Sequence, residues 1–576
     1  MVPLRLSTSI FYGPSLYSKE KIILFTVDAE PFDKLIEAEN LLEFTALSKQ
    51  IFGASQNELE QKNALGKASC IAKWALDVLN FKRGYLHSCG ARQVRENLVF
   101  WVGFHKPDIS LEVVRFGLSQ LAVGIDRKKF ETALRKIWVQ CRHHHPDYQA
   151  RILLTAARHR DIPALSFINK SRYWQFGWGL RSRQFFESMS SSDGLIGGIL
   201  AGNKSISKSA FGALGLPTPK HTLLNSRREI ENILPPSGYP CVVKPLDQGG
   251  GRGITAGIEN EQQLIAAIEI AQGVTTGPIM LEEFVPGSDY RLMVIGGAFV
   301  AAIRREPSQA IGDGVRRLEN LIAEINAGRS DDIVKSHYLR PIEMDRIFQE
   351  HIKRQGVSLT TVLAKGQRIS LRSVSNLSAG GICIDVTENI HPSLIDMAIN
   401  AAVTLGLDVA GFDYMTTDIS RPPWETAGAF IEMNTTPGLD VVIAAGWSPE
   451  KIGGLVLGEH PGRIPVELYI SSQALGHQSI VKSGKPGVAK IAGRSFTIGP
   501  VQFSVEDETP WETVKCALRQ RTVVMAEIYC TLDDILLHGL PIDRFEKIIL
   551  SGVDAPKELL DFFKTATKKL CLQNSP

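Results

Sequence analysis

The stretch 239–255, YPCVVKPLDQGGGRGIT, joins a buried strand to a lysine and a run of glycines. Its first part, YPCVVKP (239–245), has the apolar pattern of a short buried strand, and Lys244 lies at the end of that strand. The glycines of DQGGGRG (247–253) let backbone N–H groups approach a ligand closely, so that a lysine charge and a ring of donors suit a polyphosphate. The spacing matches neither a Walker A loop nor a dinucleotide-binding loop, and an ordinary glycine-rich turn is the alternative.

Alternating strand and helix patterns surround this stretch. Asn260 and Gly273 bracket an amphipathic run, which predicts a helix between them. Gly296 and Gly297 separate two apolar runs, which predicts a two-residue hairpin. The predicted strands are 239–245, 278–284, 291–295, 298–303, 408–415 and 429–434, and a second predicted helix opens at Pro392 and ends at Gly406. The pattern is typical of an α+β fold.

Oxygen-bearing side chains fall on two of these strands. Glu432 and Asn434 are two residues apart on one strand, so their side chains point to the same face. Asp413 lies on the preceding strand. Three oxygen donors on neighbouring strands suit Mg²⁺, a hard cation that proteins share with phosphates. Simple polar alternation along a half-exposed strand is the alternative.

Four arginines lie on or beside the predicted strands rather than on exposed helix faces: Arg291, Arg304, Arg305 and Arg372. Guanidinium groups pair with carboxylates and phosphates. Each of these arginines taken alone also fits a surface ion pair. Together with the lysine loop and the acidic cluster, they predict a site for a nucleoside triphosphate, a metal ion and a carboxylate substrate.

Length and charge limit the remaining possibilities. The chain has 576 residues, enough for three or four domains at roughly 100 to 200 residues each. Its net charge of +3 argues against a nucleic-acid-binding protein, although basic runs occur at 126–145 and 151–183. Those runs fit either a solvated helix face or a surface that steers an acidic substrate. The polar HHHPDY stretch (143–148) predicts a solvated loop, and a metal site at His143, His144 and His145 is the alternative. The lack of a membrane-spanning apolar run predicts a cytoplasmic protein without a membrane partner.

Several stretches of the middle region resemble, in sequence and in order, the ATP-grasp domain of cyanophycin synthetase. They are GNKSISKSAFGALGLPTP (202–219), YPCVVKPLDQGGGRGIT (239–255), IMLEEFVPGSDYRLMVIGGAFVAA (279–302), IGDGVRRLENLI (311–322), LRSVSNLSAGGICIDVT (371–387), GLDVAGFDYM (406–415) and IEMNTTPGLD (431–440). The run 173–204 resembles that enzyme's N-terminal domain, and 462–476 and 487–500 resemble the start of its C-terminal muramyl-ligase-like domain. The resemblance implies a smaller α/β domain at 1–200, an ATP-grasp domain at 201–455 and a truncated, inactive muramyl-ligase-like domain at 456–576.

The resemblance also implies roles for individual residues. For ATP, it implies phosphate contacts by Lys204 and Lys244, a closing loop with Gly249, Gly250, Gly251 and Gly253, adenine contacts at Glu282, Glu283 and Val285, and a ribose contact at Asp289. For the metal, it implies Mg²⁺, which Mn²⁺ can replace, held by Asp413, Glu432 and Asn434. For the reaction, it implies catalysis by Lys244, Arg305 and Arg372 and binding of the carboxylate substrate by Ser378 and Gly380, and the position of Arg291 among the strand arginines predicts that it binds the same substrate.

The implied function is an ATP-dependent carboxylate–amine ligase that activates an amino acid or short peptide as an acyl-phosphate and forms an amide. Cyanophycin synthetases carry Asn-His where this chain has Gly249 and Gly250, so a side chain near the phosphates is missing. IPVELYI (464–470) is followed by SSQALGH, which lacks the GTNGKT-type loop of muramyl ligases. A second ATP site is therefore expected to be inactive. A catalytically idle homologue that binds nucleotide or peptide and regulates a partner is the alternative, and a homo-oligomer is implied.

Overall fold

The computed structural model describes residues 6–53, 63–81, 83–168, 172–224, 235–249, 251–330, 341–372, 374–377, 380–473 and 485–573. Two of the predicted site residues, Gly250 and Ser378, lie outside the described residues. The chain divides into two compact units, one formed by Phe186–Gly458 and the other by Met1–Phe185 together with Glu459–Pro576. The division into three domains at 1–200, 201–455 and 456–576 stays a prediction.

The described chain contains both strands and helices. The strands are β1 (Ser7–Phe11), β2 (Ile22–Asp28), β3 (Cys89–Val94), β4 (Asn97–Gly103), β5 (Ala164–Ser166), β6 (Tyr173–Phe176), β7 (Arg183–Phe186), β8 (Met189–Ser190), β9 (His221–Leu224), β10 (Cys241–Pro245), β11 (Thr255–Ile258), β12 (Ile279–Glu283), β13 (Ser288–Ile295), β14 (Ala298–Glu306), β15 (Gln309–Ile311), β16 (Arg368–Ser370), β17 (Ile382–Asp385), β18 (Val409–Thr416), β19 (Ala429–Asn434), β20 (Val466–Ser471), β21 (Val488–Ala492), β22 (Ser495–Ile498), β23 (Val501–Ser504), β24 (Met525–Thr531), β25 (Lys547–Ser551) and β26 (Leu570–Gln573).

The α-helices are α1 (Ala29–Leu35), α2 (Ala38–Phe52), α3 (Ala64–Asn80), α4 (Pro107–Val123), α5 (Arg127–His144), α6 (Tyr148–His159), α7 (Leu195–Ala201), α8 (Lys204–Ala213), α9 (Glu261–Gln272), α10 (Leu318–Ser330), α11 (Arg346–Arg354), α12 (Pro392–Thr404), α13 (Pro423–Thr426), α14 (Asp440–Ala444), α15 (Pro449–Leu457), α16 (Glu512–Arg519), α17 (Leu532–His538) and α18 (Lys557–Ala566). Within the described residues, none of these helices is long and apolar enough to span a membrane.

The unit 186–458 contains two antiparallel sheets, in the strand orders β11-β10-β12-β9 and β17-β14-β13-β18-β19. Helix α9 packs its apolar side chains on Val243 and Leu281 of the first sheet. Because side chains alternate between the two faces of a strand, this packing places Lys244 and Glu282 on the opposite face. The predicted helix and strands of this region are confirmed, with Asn260 capping α9 by accepting a hydrogen bond from the backbone N–H of Gln263.

The second sheet is built in the same way. Apolar side chains of β13 and β18, such as Leu292 and Phe412, pack against α12 through Leu394 and Ala398. The alternate residues of these strands include the charged groups described below. The predicted hairpin between β13 and β14 is confirmed, because Gly296 and Gly297 have φ of 59° and 76°, which a two-residue hairpin turn of this type requires and glycine adopts readily. Each sheet thus buries one face beneath a helix and keeps polar groups on the other.

The other unit combines the first and last parts of the chain. The first part holds an antiparallel sheet in the order β1-β2-β4-β3, whose apolar face packs against α3 and α4. The last part holds a sheet in the order β23-β22-β21-β24-β20-β25-β26, parallel from β21 to β26. Trp178 belongs to the hydrophobic core of this second sheet, and its backbone N–H donates to Gly462 O at 2.9 Å. Trp178, which comes from the first part of the chain, therefore packs in the core of the last part.

The solvated loop predicted for HHHPDY is wrong. Helix α5 continues through His144, and His145 is fully buried. The Nδ1 atom of His145 lies 3.1 Å from Leu79 O and 3.0 Å from Arg83 O, so it is placed to donate to backbone carbonyls. A hydrogen bond of this kind satisfies a buried imidazole nitrogen, which the polar appearance of the sequence conceals.

Candidate nucleotide and metal site

Helix α8 presents two lysines to the polar side of the first sheet. Asn203 caps the helix by accepting hydrogen bonds from the backbone N–H groups of Ser205 and Ile206. Lys204 and Lys208 are four residues apart and therefore lie on one helix face. The Lys204 ammonium donates to the carbonyl oxygen of Gln248 at 2.6 Å, which connects the start of α8 to the glycine loop.

Lys244 and Glu282 form a buried ion pair with Lys208. On β12 and β10, Glu282 pairs with Val242, and Lys244 is two residues further along the same face. The Lys244 Nζ donates to Glu282 Oε1 at 2.8 Å and lies 2.8 Å from Oε2, while the Lys208 Nζ lies 2.6 Å from Oε2. The Lys208 side chain is 0% exposed, and its Nζ also donates to Ile431 O at 3.1 Å. Lys208 was missed by the sequence reasoning, although its spacing from Lys204 was a usable signal.

Lys244, Lys208 and Glu282 together carry two positive charges and one negative charge in the protein interior. Burial, and next the charge of Lys244, lowers the pKa of Lys208 to about 8. Burial acts to raise the pKa of Glu282, but Lys244 and Lys208 together bring it below its usual value. One carboxylate is thus shared by two ammonium groups. An added anion such as a nucleotide phosphate would complete the balance of charge.

The glycine loop lies against the segment 374–377. Gly251 has φ of 78°, and a Cβ atom there would lie 3.1 Å from both Asn376 Nδ2 and Val374 Cγ1. Gly253 has φ of 72°, and its Cβ would lie 2.5 Å from Val274 Cγ2. A Cβ at Gly249 would meet nothing within 4 Å. Gly251 and Gly253 are therefore required by backbone conformation and close approach, whereas Gly249 is not.

The polar face of the second sheet carries a row of alternating charges. In register, Asp289 faces Arg305, Arg291 faces Asp413, and Asp413 faces Glu432. The Arg305 Nη2 atom lies 2.6 Å from Asp289 and 3.0 Å from Asp413, and the Arg291 Nε atom lies 2.8 Å from Asp413. Both guanidiniums lower the pKa of the Asp413 carboxyl against the opposing effect of its burial. The predicted catalytic Arg305, the predicted substrate residue Arg291 and two predicted metal ligands therefore lie together.

The donor groups of Asp413, Glu432 and Asn434 fit Mg²⁺. Burial, and next the charge of Asp413, raises the pKa of Glu432, because a neighbouring carboxylate opposes a second negative charge. The Asn434 Nδ2 atom donates to Gly411 O at 3.4 Å, so the amide oxygen of that side chain is not used in this bond. The described residues contain no cluster of three or more His, Cys, Asp and Glu side chains placed to hold a metal ion, and the predicted set has only two carboxylates. Two carboxylates and an amide still suit Mg²⁺, which keeps water and phosphate ligands.

Two predicted residues lie beside a different part of the unit. Arg372 forms a two-pronged ion pair with Asp345, with Nη1 at 3.0 and 3.1 Å from the two carboxylate oxygens, and Nη2 donates to Glu343 O at 2.7 Å. Asp345 is the N-cap residue of α11. The carbonyl oxygen of Gly380 accepts a hydrogen bond from Arg329 at 2.7 Å. Within the described part of the chain, Arg372 and Gly380 thus bond to Asp345, Glu343 and Arg329 rather than to Arg291, Arg305 or Asp413.

The predicted adenine and ribose residues are divided between the two sheets. Glu283 lies on β12, where its carboxylate accepts from the backbone N–H of Lys220 at 3.3 Å, and Val285 follows as a buried residue. The Glu282 carboxylate is taken up by lysines, as described above. Asp289 lies on β13 of the second sheet, where it accepts a hydrogen bond from Ser375 in addition to its ion pair with Arg305. Asp289 therefore belongs to the charged row in this structure.

A lysine-bearing antiparallel sheet facing a carboxylate-bearing one, with a glycine loop at the first, defines an ATP-grasp domain. The family model "Prokaryotic glutathione synthetase, ATP-grasp domain" matches residues 210–324. The chain is 31% identical over 416 residues to the cyanophycin synthetase of Geminocystis herdmanii, covering 70% of this chain and 47% of that protein. It is 36% identical over 384 residues to the cyanophycin synthetase of Trichormus variabilis, covering 64% and 42%.

A second relative matches a shorter part of the chain. The chain is 30% identical over 260 residues to the glutathione biosynthesis bifunctional protein of Mannheimia succiniciproducens, covering 43% of this chain and 34% of that protein. The predicted resemblance to cyanophycin synthetase and the predicted ATP-grasp fold are confirmed. The chain spans less than half the length of each of these relatives.

Proposed function

We propose that this protein is an ATP- and Mg²⁺-dependent carboxylate–amine ligase that joins an amino acid or short peptide to an amine and forms ADP. The observation that supports this most directly is the arrangement of Lys204, Lys208 and Lys244 near Glu432, with the Lys204 ammonium 4.0 Å from a Glu432 oxygen. This arrangement supplies cations for a triphosphate beside carboxylates for its metal. It is the combination that an in-line transfer of a phosphoryl group requires.

The chain's own residues then have distinct tasks. Lys204 and Lys244 neutralise the phosphate charge while the substrate carboxylate attacks the terminal phosphorus. Arg305 and Arg291 stabilise the negative charge of the acyl-phosphate and of the species formed when the amine adds to it. Mg²⁺, when bound by Asp413 and Glu432, supplies further neutralisation of phosphate charge. Positioning and electrostatics would provide most of the rate enhancement, so that no nucleophilic side chain is needed.

The glycine loop would act as a cover for the reacting groups. An acyl-phosphate exposed to water would hydrolyse before the amine could attack. The contact of Gly251 with the segment 374–377 would bring the loop over the region where Ser375 binds Asp289. We further propose Arg372 and Gly380 as binding groups that approach the substrate carboxylate in the closed state, together with a cytoplasmic location and a homo-oligomeric assembly.

The test is an activity assay with a pooled set of amino acids. The protein is incubated with ATP and Mg²⁺, and ADP, phosphate and new product masses are measured with and without the pool. We expect ADP that depends on the amino acids and a condensed product, both abolished by Lys244→Ala. Lys365→Ala, which changes an exposed lysine of the same unit, is the matched control. Tight ATP binding without turnover would instead indicate a nucleotide-binding homologue, and activity that survives Glu432→Ala with Asn434→Ala would exclude the metal assignment.

A further inference from the structure

Lys208 connects the two sheets of the ATP-grasp domain. It lies on α8, its Nζ is 2.6 Å from Glu282 Oε2 on β12, and the same atom donates to Ile431 O on β19 at 3.1 Å. Ile431 directly precedes the metal residue Glu432. A single buried ammonium therefore contacts the strand that carries the adenine-side residues and the strand that carries a metal ligand.

The negative charge of the Glu282 carboxylate lies in the protein interior, where neighbouring lysines stabilise it. Its side chain is 4% exposed, and the carboxylate is in contact with Lys244 and Lys208. A buried charge that loses its partner is strongly unfavourable in proteins generally. If the Lys244 ammonium turns toward a phosphate, the buried Glu282 carboxylate loses this partner. It then stays ion-paired only if a second cation remains beside it.

We propose that Lys208 is a positioning residue for nucleotide binding, which keeps Glu282 ion-paired while Lys244 directs its charge to the phosphates. The inference rests on the proposed function, because it takes ATP or ADP as the ligand. In this structure, Lys244 and Lys208 share the Glu282 carboxylate. With nucleotide bound, Lys208 holds the carboxylate and Lys244 is available to the phosphates. Lys208 also keeps β12 and β19 at a fixed separation through its bond to Ile431 O.

The lowered pKa of Lys208 agrees with this arrangement. Burial is the first cause and the neighbouring Lys244 charge is the second. When a phosphate takes up the Lys244 charge, the second cause is reduced. The ammonium form of Lys208 is then favoured in the state in which Glu282 relies on it.

A double-mutant cycle tests the proposal. Binding of ATP and of ADP, each with Mg²⁺, is measured by calorimetry for the wild type, Lys208→Met, Glu282→Gln and the double variant. We expect Lys208→Met to weaken binding about 30-fold or more when Glu282 is present, since the carboxylate then competes with phosphate for Lys244. In the Glu282→Gln background, the same change should weaken binding less than about threefold, because no buried negative charge is left to be paired.

Further variants separate charge from packing. Lys208→Arg keeps the charge and should bind nucleotide within about fivefold of the wild type. Lys208→Gln keeps a donor for Ile431 O without the charge and should behave like Lys208→Met. It also replaces the methionine variant if that variant does not fold. Lys365→Met is the control for an exposed lysine. Circular dichroism and thermal unfolding without nucleotide confirm that each variant is folded.

The outcomes distinguish this inference from the proposed function. Equal weakening by Lys208→Met in both backgrounds, in a protein whose wild type binds ATP and turns over, would overturn the inference alone. Normal binding by Lys208→Gln would also overturn it, because the charge would then be unnecessary. Failure of the wild type to bind either nucleotide would overturn the proposed function, and the inference with it.

Discussion

Acid should destabilise the unit that contains His145 through the burial of that imidazole. Its Nδ1 faces two backbone carbonyls, its Nε2 is buried without a hydrogen-bond partner, and the ring of His105 lies 4.8 Å away. Burial lowers the pKa of His145 to about 4 and holds the pKa of His105 well below its usual value. A proton on either ring would place a charge in the hydrophobic core beside the other imidazole.

The magnitude follows from the difference between the folded and unfolded states. An unfolded chain binds a proton at His145 near pH 6.5, whereas the folded protein resists protonation until about pH 4. The contribution of His145 to stability is therefore unchanged at neutral pH, is lost as the pH drops from 6.5 to 4, and does not change further below that range. At about 1.4 kcal/mol per pKa unit, His145 alone removes about 3 kcal/mol from the free energy of unfolding.

The assay is urea denaturation of the wild type and His145→Asn at pH 7, 6, 5 and 4.5. Asparagine keeps an N–H donor near the position of Nδ1 but does not titrate. We expect the stability advantage of the wild type over the variant to shrink by about 1.4 kcal/mol per pH unit below 6.5. His143→Asn, an exposed neighbour, is the control. Parallel pH curves for the wild type and His145→Asn would refute the reasoning.

Three further changes test the site. Asp413→Asn leaves two buried guanidiniums without their shared carboxylate and should lower the free energy of unfolding, measured by urea denaturation, by about 3 kcal/mol. The same variant should weaken Mg²⁺-dependent nucleotide binding. An unchanged Mg²⁺ titration would contradict the metal role of Asp413. Gly251→Val should reduce turnover at least about tenfold, since its φ is positive and its Cβ meets Asn376, whereas Gly249→Ala, with open space, should be neutral in the same assay. Arg372→Lys loses the bidentate ion pair with Asp345 and should lower the free energy of unfolding by about 1 kcal/mol. Full ligase activity in this variant would argue against a catalytic role for Arg372.

Local patterns were sufficient to predict most of the ATP-grasp strands. The alternation in 429–434 correctly placed Glu432 and Asn434 on one face, because side chains in a strand alternate with a period of two. The glycine pair between β13 and β14 correctly predicted a hairpin for an equally local reason. In contrast, the buried position of His145 depends on carbonyls far away in the sequence, so a polar run gave the wrong expectation.

Some contacts of the site form between residues that are distant in the chain, and the sequence did not predict these contacts. Lys208 was overlooked because its partners, Glu282 and Ile431, are distant in the chain. The family resemblance implies a ribose contact for Asp289, and in the structure this carboxylate is ion-paired with Arg305 on the neighbouring strand. Its proposed ribose contact stays a prediction.

The sequence by itself determined the ATP-grasp class, the alternation of strands and helices, and the types of side chain available for phosphate and metal. Each of these depends on short-range spacing or on motifs that remain adjacent along the chain. Only the tertiary structure decided which charges meet: two lysines on one buried carboxylate, and two arginines on Asp413. The physical reason is that an ion pair in a protein interior depends on distance and burial, and these are set by how strands and helices distant in sequence pack together.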